Sequence, residues 1–119
     1  PINTTTELVR IILKTVPKAY QKQKIHPATR IFQALRIAVN HELENLQSVL
    51  PHALEILAKR GRLVVVSFHS LEDAIVKKFF QSQKHLNKIL TPKPITPIKK
   101  EIISNPKARS AKLRALQKI

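Results

Sequence analysis

The sequence predicts an α/β fold in which helices pack against a small sheet, and three observations support it. Apolar residues recur at helical spacing from Phe32 to Leu50. An unbroken apolar, largely β-branched run occupies Leu63–Val66, and a second helical pattern follows it from Ile75 to Phe80. A strand that is apolar at every position is typical of burial on both faces, as in a parallel α/β sheet. Helix, buried strand and helix therefore form one α/β layer.

The first predicted element is a short amphipathic helix. Thr4 and Glu7 have the spacing of a capping box, and apolar residues follow at helical intervals until Pro17. A basic linker, residues 18–24, separates this helix from the next element.

A long helix is the second predicted element. Pro27 suits the first turn of a helix, where its missing N–H has no consequence. The apolar residues that follow form one continuous stripe: Phe32, Leu35, Val39, Leu43, Leu46 and Leu50. Pro51 is expected to interrupt this helix, and a further turn or two should end at a cationic, glycine-capped sequence, Lys59–Gly61.

The predicted strand, Arg62–Phe68, leads into a helix whose start is marked by Ser70 and Asp73 at capping-box spacing. Leu86–Leu90 predicts a short second strand. Three prolines between residues 92 and 97 restrict the following segment to a sheet edge or an extended loop.

The last part of the chain predicts a helical turn at residues 98–103, ended by Asn105 and Pro106. The tail, residues 108–119, alternates apolar and basic side chains, so it suits either a half-buried strand or a basic helix. Tail lysines such as Lys118 are expected to be exposed and to contribute only unspecific binding.

Charge and composition restrict the function. Lys and Arg number 22 against 7 acidic residues, a formal charge of +15, which favours an anionic partner, nucleic acid before membrane. No apolar run approaches the roughly 20 residues that span a bilayer, and no signal peptide is present, so the protein is expected to be soluble and cytoplasmic. Without Cys, and with five unpaired His, no structural metal is expected. One glycine, Gly61, cannot supply a phosphate-binding loop.

The number of strands is too small for the predicted burial. A strand buried on both faces needs neighbours, and the chain offers at most two further, weaker strand candidates. The rest of the sheet is therefore expected upstream of Pro1, or to be replaced by another copy of the chain, and the chain alone is expected to self-associate.

Two segments carry functional signals. Within His26–Asn40, a row of polar side chains shares one helical face and suits phosphates or base edges, with a solvated surface as the alternative: Arg30, Gln33, Arg36 and Asn40. Ser67–Asp73 directly follows the buried strand, at the edge where open α/β sheets bind ligands. A hydrolase triad of Ser67, His69 and Asp73 is disfavoured, because the three are neighbours in one loop that lacks the flanking glycines of a nucleophile elbow.

Three motifs in order carry a family resemblance: H-P-A-T-R-x-F-Q-A-L-R-I-x-V-N, then G-R-L-V-V-V-S-F-H-S-L-E-D-x-I-V-K, then N-P-K-A-R-S-A-K-L-R. They resemble the bacterial 16S rRNA (cytosine-N4)-methyltransferases. The resemblance implies a partial Rossmann-like methyltransferase domain in residues 26–119, preceded in residues 1–25 by the end of a helical insertion domain and its linker. It implies that residues 62–68 are a central parallel strand, and that residues 86–95 and 109–116 are closing strands, the last one antiparallel.

The resemblance also implies methyl transfer from S-adenosylmethionine to N4 of a cytidine in the small-subunit rRNA. The family's glycine-rich cofactor loop, its acidic ribose-binding position and its Asp-containing segment near the target amine lie upstream of the matched motifs. No cofactor-binding or catalytic residue is therefore expected in this chain, and the chain alone is expected to be inactive. The roles assigned here are contacts with RNA or the active-site wall (His26, Arg30, Gln33, Arg36 and Asn40) and support of the active-site rim (Ser67, His69 and Ser70).

One departure from the family pattern is Lys59-Arg60-Gly61, where relatives usually have a second glycine, so a stiffer turn is expected. Two other function classes remain open from the residues alone: a free-standing basic RNA-binding or ribosome-associated module, and an interaction fragment without activity. A glycine-rich loop encoded upstream of Pro1 would favour the enzyme over both.

Overall fold

The computed structural model describes all 119 residues, and they form two compact units, Pro1–Glu42 and Leu43–Ile119. The first unit contains α1 (Thr5–Thr15), α2 (Lys18–Gln21) and α3 (Pro27–Asn40). The second contains α4 (Glu42–Ile56), β1 (Arg62–Ser67), α5 (Ser70–Ser82), β2 (Asn87–Ile89), α6 (Lys99–Ser104), a 3-10 turn (Pro106–Ser110) and β3 (Lys112–Lys118). The first residue of α4, Glu42, is also the last residue of the first unit. The mixed α/β class is confirmed. None of the helices is long and apolar enough to cross a bilayer.

The capping box predicted at the start of α1 is confirmed. The Thr4 hydroxyl accepts a hydrogen bond from the Glu7 amide, and the Glu7 carboxylate accepts from the backbone amides of Asn3 and Thr4. These backbone bonds lower the pKa of Glu7, since they favour the charged carboxylate. The helix ends at Thr15, before Pro17, and Ile12 is its buried residue.

The helix break predicted at Pro51 is wrong, because the break lies at His41. α3 ends at Asn40, His41 takes a left-handed conformation (φ 51°, ψ 39°), and α4 continues through Pro51 to Ile56. Proline removes one N–H from the helix and leaves the carbonyl four residues earlier unpaired. That carbonyl belongs to Gln47, and both Gln47 and Pro51 are exposed, so water can solvate the free acceptor.

The sheet has three strands in the order β1-β3-β2, with β3 antiparallel to both neighbours. The strand expected in the tail, antiparallel to its neighbours, is thereby confirmed. The segment expected to close the sheet at residues 86–95 pairs more sparsely, as β2 and one isolated bridge between Ile95 and Leu113. Pro92 and Pro94 lie between these two points, and proline cannot donate to a strand ladder.

β1 is covered on one face only, which corrects the expectation of burial on both. Leu63 and Val65 pack against the hydrophobic core, whereas Val64 and Val66 are 52% and 48% exposed. The one strand that pairs with β1 is β3, and it is antiparallel, so no parallel neighbour is present. Every second residue is exposed because nothing in this unit packs on the outer face.

The core of the second unit joins both long helices to the central strand. Leu50 and Leu54 of α4, Val76 and Phe80 of α5, and Leu116 of β3 form one buried cluster. Burial of each such side chain contributes about 1.5–3 kcal/mol relative to exposure. The cluster therefore determines how α4 and α5 lie on the inner face of the sheet.

The turn from α4 into β1 differs from the predicted glycine cap. The helix ends at Ile56, and Arg60, rather than Gly61, adopts the left-handed conformation, with φ of 65°. Gly61 is needed for close approach, since a Cβ there would lie 2.8 Å from the Ala58 carbonyl oxygen. A residue with a side chain in the left-handed region costs about 1 kcal/mol, so Arg60 places strain in this turn, and the stiffness expected of the turn stays a prediction.

Lys118 is not the exposed tail lysine that the sequence predicts. Its Nζ donates to three backbone carbonyls at the end of α4, those of Leu54 (3.2 Å), Glu55 (2.9 Å) and Leu57 (2.8 Å). The last carbonyls of a helix have no partners within the helix, and a cation there also interacts favourably with the helix dipole. Lys118 therefore ties the end of β3 to the end of α4.

Replacing Lys118 with Met, which keeps the length of the side chain, should lower the free energy of unfolding by about 2 kcal/mol, because charge-assisted hydrogen bonds are lost. Urea unfolding followed by circular dichroism measures this. Lys88→Met is the matched control: it alters an exposed lysine of β2, and it should change stability by less than about 0.5 kcal/mol. Equal midpoints for the two variants would contradict the structural role of Lys118.

Candidate functional site

An open groove of about 630 Å³ lies along one face of α3. Its lining residues are His26, Ala28, Thr29, Phe32, Gln33 and Arg36. Ala28 is buried and Phe32 half-buried, whereas the polar residues follow at intervals of three and four along the helix. The groove therefore combines an apolar surface with an imidazole, a hydroxyl, an amide and a guanidinium group.

His26 is held in place by the start of α3. Its Nδ1 accepts a hydrogen bond from the Ala28 amide at 3.1 Å, so His26 is the N-cap, and Pro27 occupies the first turn as predicted. When Nδ1 accepts, the neutral ring carries its proton on Nε2. The side chain can then present one N–H donor.

Arg36 is oriented by a carboxylate within the first unit. Its Nε donates to Glu42 Oε1 at 2.9 Å and its Nη2 to Glu42 Oε2 at 3.2 Å, while the Asn40 amide donates to Oε1 at 3.4 Å. The Arg36 side chain is 56% exposed, so this pair is worth at most about 1 kcal/mol. Two of the five N–H groups of the guanidinium bond Glu42, and the others can donate to a ligand.

The structure brings together part of the predicted polar row. Gln33 and Arg36 line the groove together with His26, the N-cap that precedes the row, whereas Arg30 and Asn40 do not. Arg30 instead donates from Nη1 to the Tyr20 hydroxyl at 3.2 Å. Sequence reasoning missed Thr29 and Phe32. Spacing from His26 could not separate Thr29, three residues later, from Arg30, four residues later.

In the second unit, the loop after β1 satisfies most of its polar groups, although His69 Nε2 is buried without a hydrogen-bond partner. Ser67 is buried, and its hydroxyl donates to the Lys112 carbonyl at 3.4 Å. His69 Nδ1 accepts from the Glu72 amide at 3.3 Å, and the Glu72 carboxylate accepts from the Phe68 amide at 2.9 Å. Ser70 is exposed at the start of α5.

The capping box predicted at Ser70 and Asp73 is therefore wrong by one residue. The N-cap is His69, and the acidic partner three residues later is Glu72. The Asp73 carboxylate bonds to Arg114 on β3 instead, a residue that local spacing could not reveal. The side chains of Ser67, His69 and Asp73 each have different partners and make no hydrogen bonds with one another, so they form no hydrolase triad.

Asp73 and Arg114 form a buried, bidentate ion pair. Arg114 Nε lies 2.7 Å from Oδ1 and Nη2 lies 3.1 Å from Oδ2, with Lys112 Nζ 3.7 Å from Oδ2. The hydrogen bonds from Arg114 lower the pKa of Asp73, helped by the charges of Arg114 and Lys112, while burial opposes the shift. The pair holds the first turn of α5 against β3, close in the chain to Ser67, His69 and Ser70.

The residues of this chain do not fit S-adenosylmethionine. A nucleotide-like cofactor needs a loop with glycines and free backbone amides. The single glycine, Gly61, packs against the Ala58 carbonyl in the α4–β1 turn. In the loop after β1, the amides of Phe68 and Glu72 already donate to side chains of that loop. What the chain offers is the groove of α3, whose donors suit phosphates or base edges.

Comparison with known proteins gives consistent results over the whole chain. The model of the MraW methylase family matches residues 1–119. Three similar curated proteins share one name, ribosomal RNA small subunit methyltransferase H. They come from Pseudothermotoga lettingae (49% identical over 99% of this chain), Synechococcus sp. (53% over 96%) and Sulfurihydrogenibium sp. (51% over 99%). The chain spans 40%, 35% and 41% of their lengths, respectively.

Proposed function

This chain belongs to the MraW methylase family, and we propose that it is part of an enzyme that methylates N4 of a cytidine in 16S ribosomal RNA, in the cytoplasm. The observation that carries the proposal is the groove of α3, because it lies within the first family motif and collects His26, Gln33 and Arg36. The name shared by the similar proteins supports small-subunit rRNA as the substrate.

The chemistry explains what such a groove contributes. The exocyclic amine of cytosine is a poor nucleophile, since its lone pair is delocalised into the ring, so the reaction depends on accurate positioning. Enzymes that modify a base act on it outside the helical stack. The guanidinium of Arg36 and the amide of Gln33 can hold a phosphate or the edge of such a base, and Phe32 supplies an apolar contact.

The cofactor is proposed to be S-adenosylmethionine, bound by residues outside this chain. Two observations support this: the residues present do not fit the cofactor, and the chain spans about 40% of its relatives. The chain alone is then inactive and has no measurable affinity for S-adenosylmethionine. Calorimetric titration of the chain with S-adenosylmethionine is the test. Binding at micromolar strength would contradict the proposal that the cofactor site lies outside this chain.

The domain assignment is part of the proposal. Residues 1–25 are the end of a helical insertion and its linker, and residues 26–119 are the C-terminal part of a Rossmann-like domain. The unpaired edge of β1 and the antiparallel direction of β3 support the second part of this assignment, a partial sheet domain. Ser67, His69 and Ser70 then support the rim of the active site, since they lie at the carboxyl end of β1.

The chain alone is proposed to self-associate through β1. One edge of this strand is unpaired, and its outer face exposes Val64 and Val66. Exposed apolar edges of this kind tend to pair with another chain. Light scattering should show a dimer, and Val64→Lys should shift it to monomer. A compact monomer at high concentration would contradict the proposal.

The proposed role of the groove is tested in the full-length protein. Arg36→Ala should lower the rate of methylation at saturating RNA by about 10²-fold, because misplacement acts on the chemical step. RNA affinity should fall far less. Arg10→Ala, an exposed arginine of α1, is the control and should leave both values nearly unchanged. Lys118 is unsuitable as a control, since it supports α4. If Arg36→Ala and Arg10→Ala behave alike in both assays, the groove has no role in catalysis.

The free-standing RNA-binding module remains the second candidate, and the same assays distinguish it. Such a module would bind RNA with steep salt dependence but would transfer no methyl group, even in the full-length protein.

A further inference from the structure

A short segment of the second unit forms a closed, basic loop. Ile95 and Leu113 exchange two backbone hydrogen bonds, at 2.9 Å and 2.8 Å, and so close residues 96–112 into what we call the basic loop. The loop contains α6 and the 3-10 turn, which contact each other, and Ala108 is buried within it. The backbone of the basic loop is therefore ordered by its own contacts.

The positive charge of the chain is concentrated in its C-terminal part, which includes this loop. Residues 1–73 contain ten Lys and Arg against six acidic residues, a net charge of +4. Residues 74–119 contain twelve against one, Glu101, a net charge of +11. Helix formation alone does not require such an asymmetry. The asymmetry indicates that this part of the molecule binds a partner with a dense negative charge.

Within the basic loop, four cations have no acidic partner. Lys99, Lys100, Lys107 and Arg109 are exposed, and none of them forms an ion pair. Lys112, at the end of the loop, differs, since it lies beside Asp73. These four cations lie in α6 and in the 3-10 turn that contacts it, and an anion with repeated charges would offset their mutual repulsion.

We propose that the basic loop binds the phosphate backbone of RNA and so positions the substrate strand. The inference rests on the proposed function, which supplies RNA as the polyanion. Lysine and arginine are the side chains that most often contact phosphate, and such contacts set register without reading sequence. Because the loop is already closed, binding costs little ordering of the backbone. An anionic membrane is the weaker match, since α6 has only six residues and cannot present a long amphipathic face.

The test compares two triple variants that remove the same charge. One is Lys99→Gln, Lys100→Gln and Lys107→Gln in the basic loop. The other is Lys18→Gln, Lys22→Gln and Lys24→Gln, three exposed lysines near α2. Affinity for a small-subunit rRNA stem-loop is measured against salt concentration. Each lost phosphate contact lowers the log-log slope by about 0.7–0.9, so the loop variant should lose about 2 in slope and the control much less. Thermal unfolding checks that both variants fold.

The outcomes separate this inference from the proposed function. Equal slopes for the two variants would overturn the role of the basic loop, even if the full-length protein methylates RNA. No RNA binding by the unmodified chain would also overturn the role of the basic loop, whereas the proposed function is overturned only if the full-length protein fails to methylate RNA. Vesicles of phosphatidylserine are the second probe. If the loop variant lost vesicle binding while keeping the RNA slope of the unmodified chain, the loop would be a membrane contact and the inference would be wrong.

Discussion

Replacing Asp73 with Ala is expected to destabilise the second unit by about 3–5 kcal/mol, because it leaves Arg114 as a buried charge without its partner. The Arg114 side chain is only 7% exposed, so water cannot replace the two hydrogen bonds that Asp73 accepts. Urea unfolding of the chain measures the loss. The pair also joins α5 to β3, so local changes at the start of α5 should accompany it.

A double variant tests whether the loss of stability in Asp73→Ala comes from leaving Arg114 without its partner. Asp73→Leu combined with Arg114→Met removes both charges and keeps similar volumes, and it should cost far less than Asp73→Ala alone. The two single changes should therefore be strongly non-additive, as expected for residues in direct contact. Additive losses would show that the ion pair does not hold α5 to β3.

The same pair predicts how stability depends on pH. Since the pKa of Asp73 is lower in the folded chain than in the unfolded chain, its contribution is complete at neutral pH. This contribution is lost as the pH falls below the pKa of Asp in the unfolded chain, about 3.9, and then through the lower pKa of Asp73 in the folded chain. The stability difference between the unmodified chain and Asp73→Asn should be constant above about pH 5 and shrink at lower pH. A difference that grew on acidification would contradict the lowered pKa.

Replacing Phe80 with Ala is expected to cost about 3–5 kcal/mol as well, for a different reason. Phe80 is 2% exposed in the core cluster, with the ring of Phe79 6.3 Å away, so its removal leaves a cavity between α5 and the sheet. Phe68→Ala provides the matched control, because Phe68 is 54% exposed. It should change the free energy of unfolding by less than about 0.5 kcal/mol. Similar losses for both variants would show that the core does not depend on this ring.

The sequence by itself determined the elements that depend on near neighbours. The α1 capping box needs only Thr4 and Glu7, three residues apart, and the structure confirms it. The apolar run of β1 and the helical spacing of α5 are likewise local, and both elements lie where they were predicted. Three ordered motifs indicated the family, and the family model confirms it over the whole chain. Of the polar row predicted on α3, Gln33 and Arg36 line the groove, since helical spacing brings them to one face, whereas Arg30 and Asn40 do not line it.

The tertiary structure decided whatever depends on residues far apart in the chain. Local spacing predicts that Asp73 is the acidic half of a capping box, but in the structure its carboxylate bonds to Arg114, 41 residues later. The sequence predicts that Lys118 is a solvated tail residue, but in the structure its ammonium group donates to carbonyls at the end of α4. Val64 and Val66 are apolar but exposed, because burial depends on what packs against a strand, and periodicity cannot show that. The basic loop follows the same rule: its charges are visible in the sequence, whereas its closure depends on the pairing of Ile95 with Leu113.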